Sequence, residues 1–476
     1  MYINNKSTVS ARQRFALLEM SRLIMLALVV FSTDSFSQNR TNQDGRMDVG
    51  VAHIDITPEG SIRLAGYGAR VKTESEGVIR RLNAKALAFG SDVQKPSVLI
   101  TVDLVGIPAH ITETLADKLS EKAGLERAQL VICSSHTHGG PEVGNLLNIL
   151  QHRGENFSDS LLALDQLIHI SEYIDQLSRK LEEVALAALA DRKPALVAWG
   201  QGQASFAQNR RTPGGPVDHA LPLLRVTDLS GKLRAVLVSY ACHGTTLGGD
   251  VNKIHADWIG EAQAIIEMKH PGVTAMIALG CAGDANPQPR GELDQISLHG
   301  QEISDAVDKI LASSLKPLPA PPIGKIKWVK LPFDYILSVP DLIKQTKDIS
   351  VKGYYARLAL ERIARGESIP ENLSYPIQTW VFGNELAMVN LAGEVVVDYS
   401  LRLKKELGAD HLWINAYSND VPCYIASKRI IEEGGYEAES SMYYYDKPAP
   451  FAVEVEDIII STVHELLPMS FKKNIN

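Results

Sequence analysis

Residues 128–141 read AQLVICSSHTHGGP. A short apolar, β-branched run gives way to two serines and a glycine-rich turn, with two histidines two positions apart at the join. A run of that length bounded by turn residues reads as a buried strand. The same arrangement recurs along the chain. LRAVLVSY (233–240) stops at ACHGTT, and VTAMIALG (273–280) stops in CAGDANP. VGVAHIDIT (49–57), LNAKALAFG (82–90) and SVLITVD (97–103) are further strand-like runs, and strands are also expected near 195–207, 222–228, 376–382, 386–391 and 411–417. Apolar residues at helical spacing predict helices over 111–123, 170–190, 255–269, 293–314, 341–366 and 452–466. Strands alternating with helices predict an α/β fold, with mixed β-sheets covered by helices.

The chain has 476 residues, 45% hydrophobic and 22% charged, which suits a globular protein with a large core. Its net charge of −8 and the lack of a Lys/Arg-rich run argue against a nucleic-acid partner. Residues 1–37 read as a secretory signal peptide. Lys6, Arg12, Arg14 and Arg22 precede the apolar run LIMLALVVF (23–31), and Ser35-Phe36-Ser37 offers small residues at a cleavage site. The expectation is an exported protein, periplasmic or extracellular, with no transmembrane anchor after cleavage. Residues 38–47 then form a polar tail, and 48–476 a single large domain. LKPLPAPP (315–322) is expected to be a surface connection inside it. Cys133, Cys242, Cys281 and Cys423 are expected as buried free thiols, since three of them end or follow apolar runs, with up to two disulfides as the alternative.

Several strand-end residues can carry chemistry. His136 and His138 lie where a strand stops, one able to face a metal and the other a substrate; a turn-proximal accident is the plainer alternative. His243 sits in a similar small-residue context, where a satisfied core histidine is the competing reading. Asp284, in GCAGDANP, can orient an imidazole or simply make an Asx turn. Asp103 and Glu394 each close a strand, and Glu394 suits either a metal or a helix start. Arg210 and Arg211 share a loop, where a guanidinium can bind an oxyanion or stay solvated. Tyr417, Tyr424, Tyr436, Tyr443, Tyr444 and Tyr445 crowd the C-terminal part, to pack, to line a pocket or to bind a metal.

The ordered set says more than any member. AGYG (65–68), SSHTHGGP (134–141), NRRTP (209–213), HGTTLGG (243–249), GCAGDANP (280–287), LAGE (391–394), NAYSNDVPCYIAS (415–427) and GGYEA (434–438) together resemble the catalytic domain of the neutral/alkaline, non-lysosomal ceramidase family. The resemblance implies a single large catalytic domain, a zinc-dependent hydrolase of amide bonds working by metal-activated water. By motif position it implies His136, His243, Glu394 and Tyr424 as Zn²⁺ ligands and His138 as the base beside the metal. Arg210 and Tyr436 would then serve catalysis and substrate binding, with Asp284 orienting an imidazole. Two departures stand out. The family's serine falls on Asn286, which would position substrate rather than attack it. The family's C-terminal β-sandwich domain is expected to have no counterpart after the tyrosine-rich stretch. The implied partner is a small-molecule or lipid amide. Other readings are a zinc hydrolase of a non-lipid N-acyl or N-acetyl compound such as an amino sugar, or of an ester, and an exported binding protein without catalysis.

Overall fold

A computed structural model describes Met1 and residues 45–472, apart from 71, 145, 148 and 150–163. The expected signal peptide and nearly all of the expected tail lie outside the described residues. Gly45–Asn476 makes one compact unit.

The strands, in chain order, are β1 (Arg46–Asp55), β2 (Asn83–Phe89), β3 (Ser97–Val102), β4 (Leu130–Ser134), β5 (Lys193–Gln203), β6 (Ala207–Asn209), β7 (Ala220–Asp228), β8 (Leu233–Tyr240) and β9 (Thr274–Leu279). They continue as β10 (Ala285–Pro287), β11 (Lys316–Pro317), β12 (Ile323–Pro332), β13 (Asn372–Phe382), β14 (Leu386–Leu391), β15 (Glu394–Val395), β16 (Leu412–Asn415) and β17 (Tyr424–Ile425). The helices are α1 (Ala109–Ala123), α2 (Leu164–Ala190), α3 (Asp257–Lys269), α4 (Leu293–Leu311), α5 (Val339–Gln345), α6 (Val351–Ala364), α7 (Val397–Leu407), α8 (Lys428–Glu433), α9 (Ser441–Tyr444) and α10 (Val455–Leu466).

Two mixed sheets carry the fold. The larger runs β4-β3-β2-β1-β5-β7-β8-β9, with β11 added beside β5; the smaller runs β12-β13-β14-β16. Strand alternation explains how they stack. On β2, Ala84, Ala86 and Ala88 face α1 and α2, while Leu87 and Phe89 face the other sheet. On β14, Leu386 and Met388 share that inter-sheet core with Trp380 and Trp413. Ala387, Val389 and Leu391 point outward, into the core that holds Leu403 and Val455 of the covering helices. The result is helices, sheet, sheet, helices, as the alternating pattern predicts.

Three local details differ from the sequence expectation. β1 starts at Arg46, inside the last two residues of the expected tail. The helix expected over 341–366 is two, because Ser350 caps a fresh start at Lys352 N and a side chain at Gly353 would collide with the Asp348 carbonyl. LKPLPAPP is tied down, its Lys316 and Pro317 pairing with Trp199 and Ala198 of β5. All four cysteines are buried and free, as expected.

The parallel pairs β3–β4, β8–β9 and β14–β16 deliver their carboxyl ends toward one region. Strand ends and the loops after them are cross-linked there. Thr137 bridges Gly244, and Cys133 bridges Ser418.

Candidate metal centre

His136, His138 and His243 form a cluster able to hold a metal ion, their nearest ring nitrogens all within 4.8 Å of one another. An extended chain would turn His136 and His138 to opposite faces. Here His136 takes a left-handed φ of +50°, which breaks the alternation and brings the two Nε2 atoms to 3.4 Å.

Two of the rings are fixed by backbone. His136 Nδ1 lies 2.6 Å from the Val105 carbonyl, and His243 Nδ1 lies 2.6 Å from the Ala282 carbonyl. A carbonyl only accepts, so each of these nitrogens carries the proton, and in the neutral ring Nε2 presents a lone pair. Both lone pairs face Glu394 Oε2, at 3.1 Å from His136 and 3.0 Å from His243. Burial holds His243 down to about 4, so it is neutral near pH 7. Burial would raise the Glu394 carboxyl, and only positive charge at the facing nitrogens holds it well below the usual range. Lone pairs around an ionised, buried oxygen call for positive charge between them. Imidazole and carboxylate donors in this setting fit a metal ion.

His138 differs. Its buried Nδ1 has no hydrogen-bond partner among the described residues. Metal-bound histidines almost always have the second nitrogen tied. His136 and His243 meet that condition and His138 does not. Tyr67 lies edge-on to it at 4.7 Å.

The remaining expected residues gather around this centre. β15 pairs with β17 so that Glu394 stands opposite Tyr424. Tyr424 Oη is 3.5 Å from His243 Nε2 and accepts from Arg210 Nη2 at 3.0 Å. Arg210 lies over the rings of both Tyr424 and Tyr436 and donates through Nε to Glu437 at 2.8 Å. Tyr436, 42% exposed, marks the open side. Glu437 also accepts from Arg211, so one carboxylate holds both arginines. Asn286 is half-buried on β10, opposite Gln208 of β6.

Asp284 does not orient an imidazole, contrary to the sequence expectation. The carbonyls of Val105 and Ala282 do that. Asp284 accepts from Val397 N at 2.8 Å and Asn209 Nδ2 at 2.9 Å, and its own carbonyl accepts from Arg210 N. It therefore anchors the start of α7 and the arginine loop. Gly283 beside it must be glycine, since a Cβ there would sit 2.6 Å from the Glu394 carbonyl. Asp103 is likewise structural, accepting from Asn83 N and Gln263 Nε2.

Sequence reasoning missed Glu437, which the GYEA stretch contained, and left Tyr417 and Tyr445 undifferentiated among the tyrosines. The Tyr417 ring lies tilted beside His136, 4.5 Å between centroids. Tyr445 donates its hydroxyl to Glu394 Oε1.

Known proteins share this architecture. The crystal structure of neutral ceramidase from Pseudomonas aeruginosa superposes with a TM-score of 0.67 at 16% identity, over 89% of this chain and 75% of that one. Neutral ceramidases A and B of Dictyostelium discoideum are 23% and 22% identical to it, over 56% of this chain in each case. These matches span 40% and 41% of the length of the two relatives. Residues 47–293, more than half of the sequence, match the neutral/alkaline non-lysosomal ceramidase family in its N-terminal part, and the chain belongs to that family.

Proposed function

We propose that the protein is an exported zinc-dependent amidase of ceramidase type, cleaving an N-acylated substrate with water. One observation carries the reading: two imidazole lone pairs and one carboxylate oxygen converge at 3.0–3.1 Å, with both Nδ1 protons already committed to carbonyls. His136, His243 and Glu394 would hold the ion, with Tyr424 beside them. Bound zinc would polarise the amide carbonyl and make water a nucleophile near neutral pH.

The protein's own groups handle charge and protons. Burial and two neighbouring imidazoles hold His138 well below the ordinary imidazole value, so it is free to accept a proton. It takes one from the attacking water as the C–O bond forms, and returns it to nitrogen as the C–N bond breaks. Arg210 and Tyr436 face the open side, where they stabilise negative charge developing on the carbonyl oxygen. Asn286, in the place of the family's serine, has no hydroxyl to attack with and serves to position substrate. Export is supported by the leader pattern of residues 1–37. Among the described residues no helix is long and apolar enough to cross a membrane.

The test is zinc content and turnover of the purified protein across ceramide, an N-acetylated amino sugar and an N-acyl amino acid, beside His136→Ala and His243→Ala. Zinc-dependent release of an amine from at least one substrate, lost in both variants, is expected. Full activity of either variant without metal overturns the mechanism. Tight zinc binding with no turnover on any amide or ester favours a binding protein instead.

A further inference from the structure

We propose that Tyr445 is a positioning residue for Glu394, fixing which carboxylate oxygen faces the metal centre and thereby setting metal affinity. The inference rests on the zinc-site reading above.

Glu394 is buried, and its two oxygens have divided duties. Oε2 faces both histidines, and Oε1 accepts from the Tyr445 hydroxyl. A carboxylate on a flexible side chain can rotate, or present both oxygens to one ion. Tying Oε1 to a phenol removes those options and leaves one oxygen for the cation. The same logic holds His136 and His243, whose second nitrogens are tied to carbonyls. Tyr445 completes it for the third donor.

Tyr445 is itself firmly placed. It follows α9, and its N–H donates to the Ser441 carbonyl at 3.2 Å. The next residue, Asp446, has a left-handed φ of +59° and receives both Nη groups of Arg362, which lies on α6. The Tyr445 ring is 4% exposed and packs edge-on to Tyr424 at 6.3 Å. On its other side lies a cavity of about 340 Å³, shared with Pro108, Asp420 and Lys447. Tyr445 therefore forms part of the wall between that cavity and Glu394. The chain of contacts runs from α6 through Arg362, Asp446 and Tyr445 to the carboxylate.

The experiment compares wild type with Tyr445→Phe, which removes the hydroxyl and keeps the ring. Zinc dissociation constants are measured by competition with a chromogenic chelator, and melting temperatures on the metal-free forms. Tyr445→Phe is expected to weaken zinc by about 10- to 100-fold, with the metal-free melting temperature moved by no more than about 2 °C. A merely structural tyrosine would do the reverse. Wild-type zinc binding with unaltered affinity in Tyr445→Phe overturns this inference alone. Failure of the wild type to bind zinc overturns the metal-site reading and this inference with it. Should Tyr445→Phe fail to fold, Arg362→Gln tests the same chain of contacts. It keeps the hydroxyl but removes both Arg362 contacts to Asp446, so zinc is expected to bind several-fold more weakly, and unchanged affinity counts against the proposal.

Discussion

Glu394 and Tyr424 face each other as register partners in a two-residue parallel ladder, which places a carboxylate and a phenol on one side of His243. So short a ladder has little stability of its own, and the buried charge within it would make the centre dependent on the proposed cation. Chelation should therefore lower the melting temperature, and zinc at about a thousand times its Kd should restore about 4 kcal/mol. Glu394→Gln separates the two causes. Its amide oxygen still accepts from Tyr445, while its NH₂ donates to the histidine lone pairs. The metal-free variant should melt no lower than metal-free wild type, and added zinc should stabilise it far less. Equal zinc stabilisation of variant and wild type would show that the carboxylate is not a ligand.

His138 should part company with the other two histidines. Its Nδ1 lacks the carbonyl anchor that His136 and His243 have. His138→Ala is expected to keep its zinc while kcat falls by about 10²- to 10⁴-fold, the range for losing a general base. Loss of zinc in proportion to activity would make His138 a third ligand instead.

Arg210→Lys tests the geometry of the guanidinium. A lysine cannot donate to Glu437 and Tyr424 in two directions while lying flat on Tyr424 and Tyr436. The expected loss in kcat/KM is about 100-fold, comparable to removing one oxyanion donor. Stability should hardly change, because Glu437 keeps its contact with Arg211 at 2.5 Å. A variant that loses stability but little activity would make Arg210 a structural brace.

Strand ends carrying His136, His243 and Glu394 were legible in the sequence because an apolar run that stops in small residues is a local signal. The layered α/β fold was legible for the same reason, since alternation on β2 and β14 sorts residues between two cores. Partners contributed from elsewhere in the chain were not. Nothing near Asp284 shows that its carboxylate meets Val397 N and Asn209, or that carbonyls would take over the imidazoles. Tyr445 looked like its neighbours because only the three-dimensional path to Glu394 distinguishes it. The break between α5 and α6 was written locally, in Asp348 and Ser350, but the flanking apolar spacing ran through it.

Asp103 gives the fold a defined pH dependence. Burial pushes its carboxyl up to about 6, partly opposed by Lys85, against a value of about 4 in an unfolded chain. The folded state thus favours the protonated acid. Its contribution is complete below pH 4 and is lost as pH rises through about 6, a change on the order of 2–3 kcal/mol. Asp103→Asn cannot ionise, and Gln263 can turn its amide to suit the new NH₂. Urea unfolding from pH 4 to pH 7 should show wild type losing stability relative to Asp103→Asn across that window, with activity preserved. Parallel curves would place the carboxyl's value near 4 in the folded protein.

Gly66 governs the position of His138 from outside the metal centre. Its φ is +92°, and a Cβ there would overlap the His138 imidazole. The ring cannot simply retreat, because Arg70 donates to both the Ala65 and His138 carbonyls and clamps the two segments together. Gly66→Ala should therefore cost about 1–3 kcal/mol through its strained backbone and also turn the imidazole away from the centre. The expected signature is a kcat lowered by about 100-fold, as a misplaced catalytic group gives, with zinc content intact because His136 and His243 are anchored independently. Gly60→Ala is the control. A Cβ at Gly60 meets nothing within 4 Å, so its effect should stay within about 0.5 kcal/mol. If Gly66→Ala retains wild-type kcat, His138 is not held where the reaction needs it by the AGYG segment, and that motif serves only the turn.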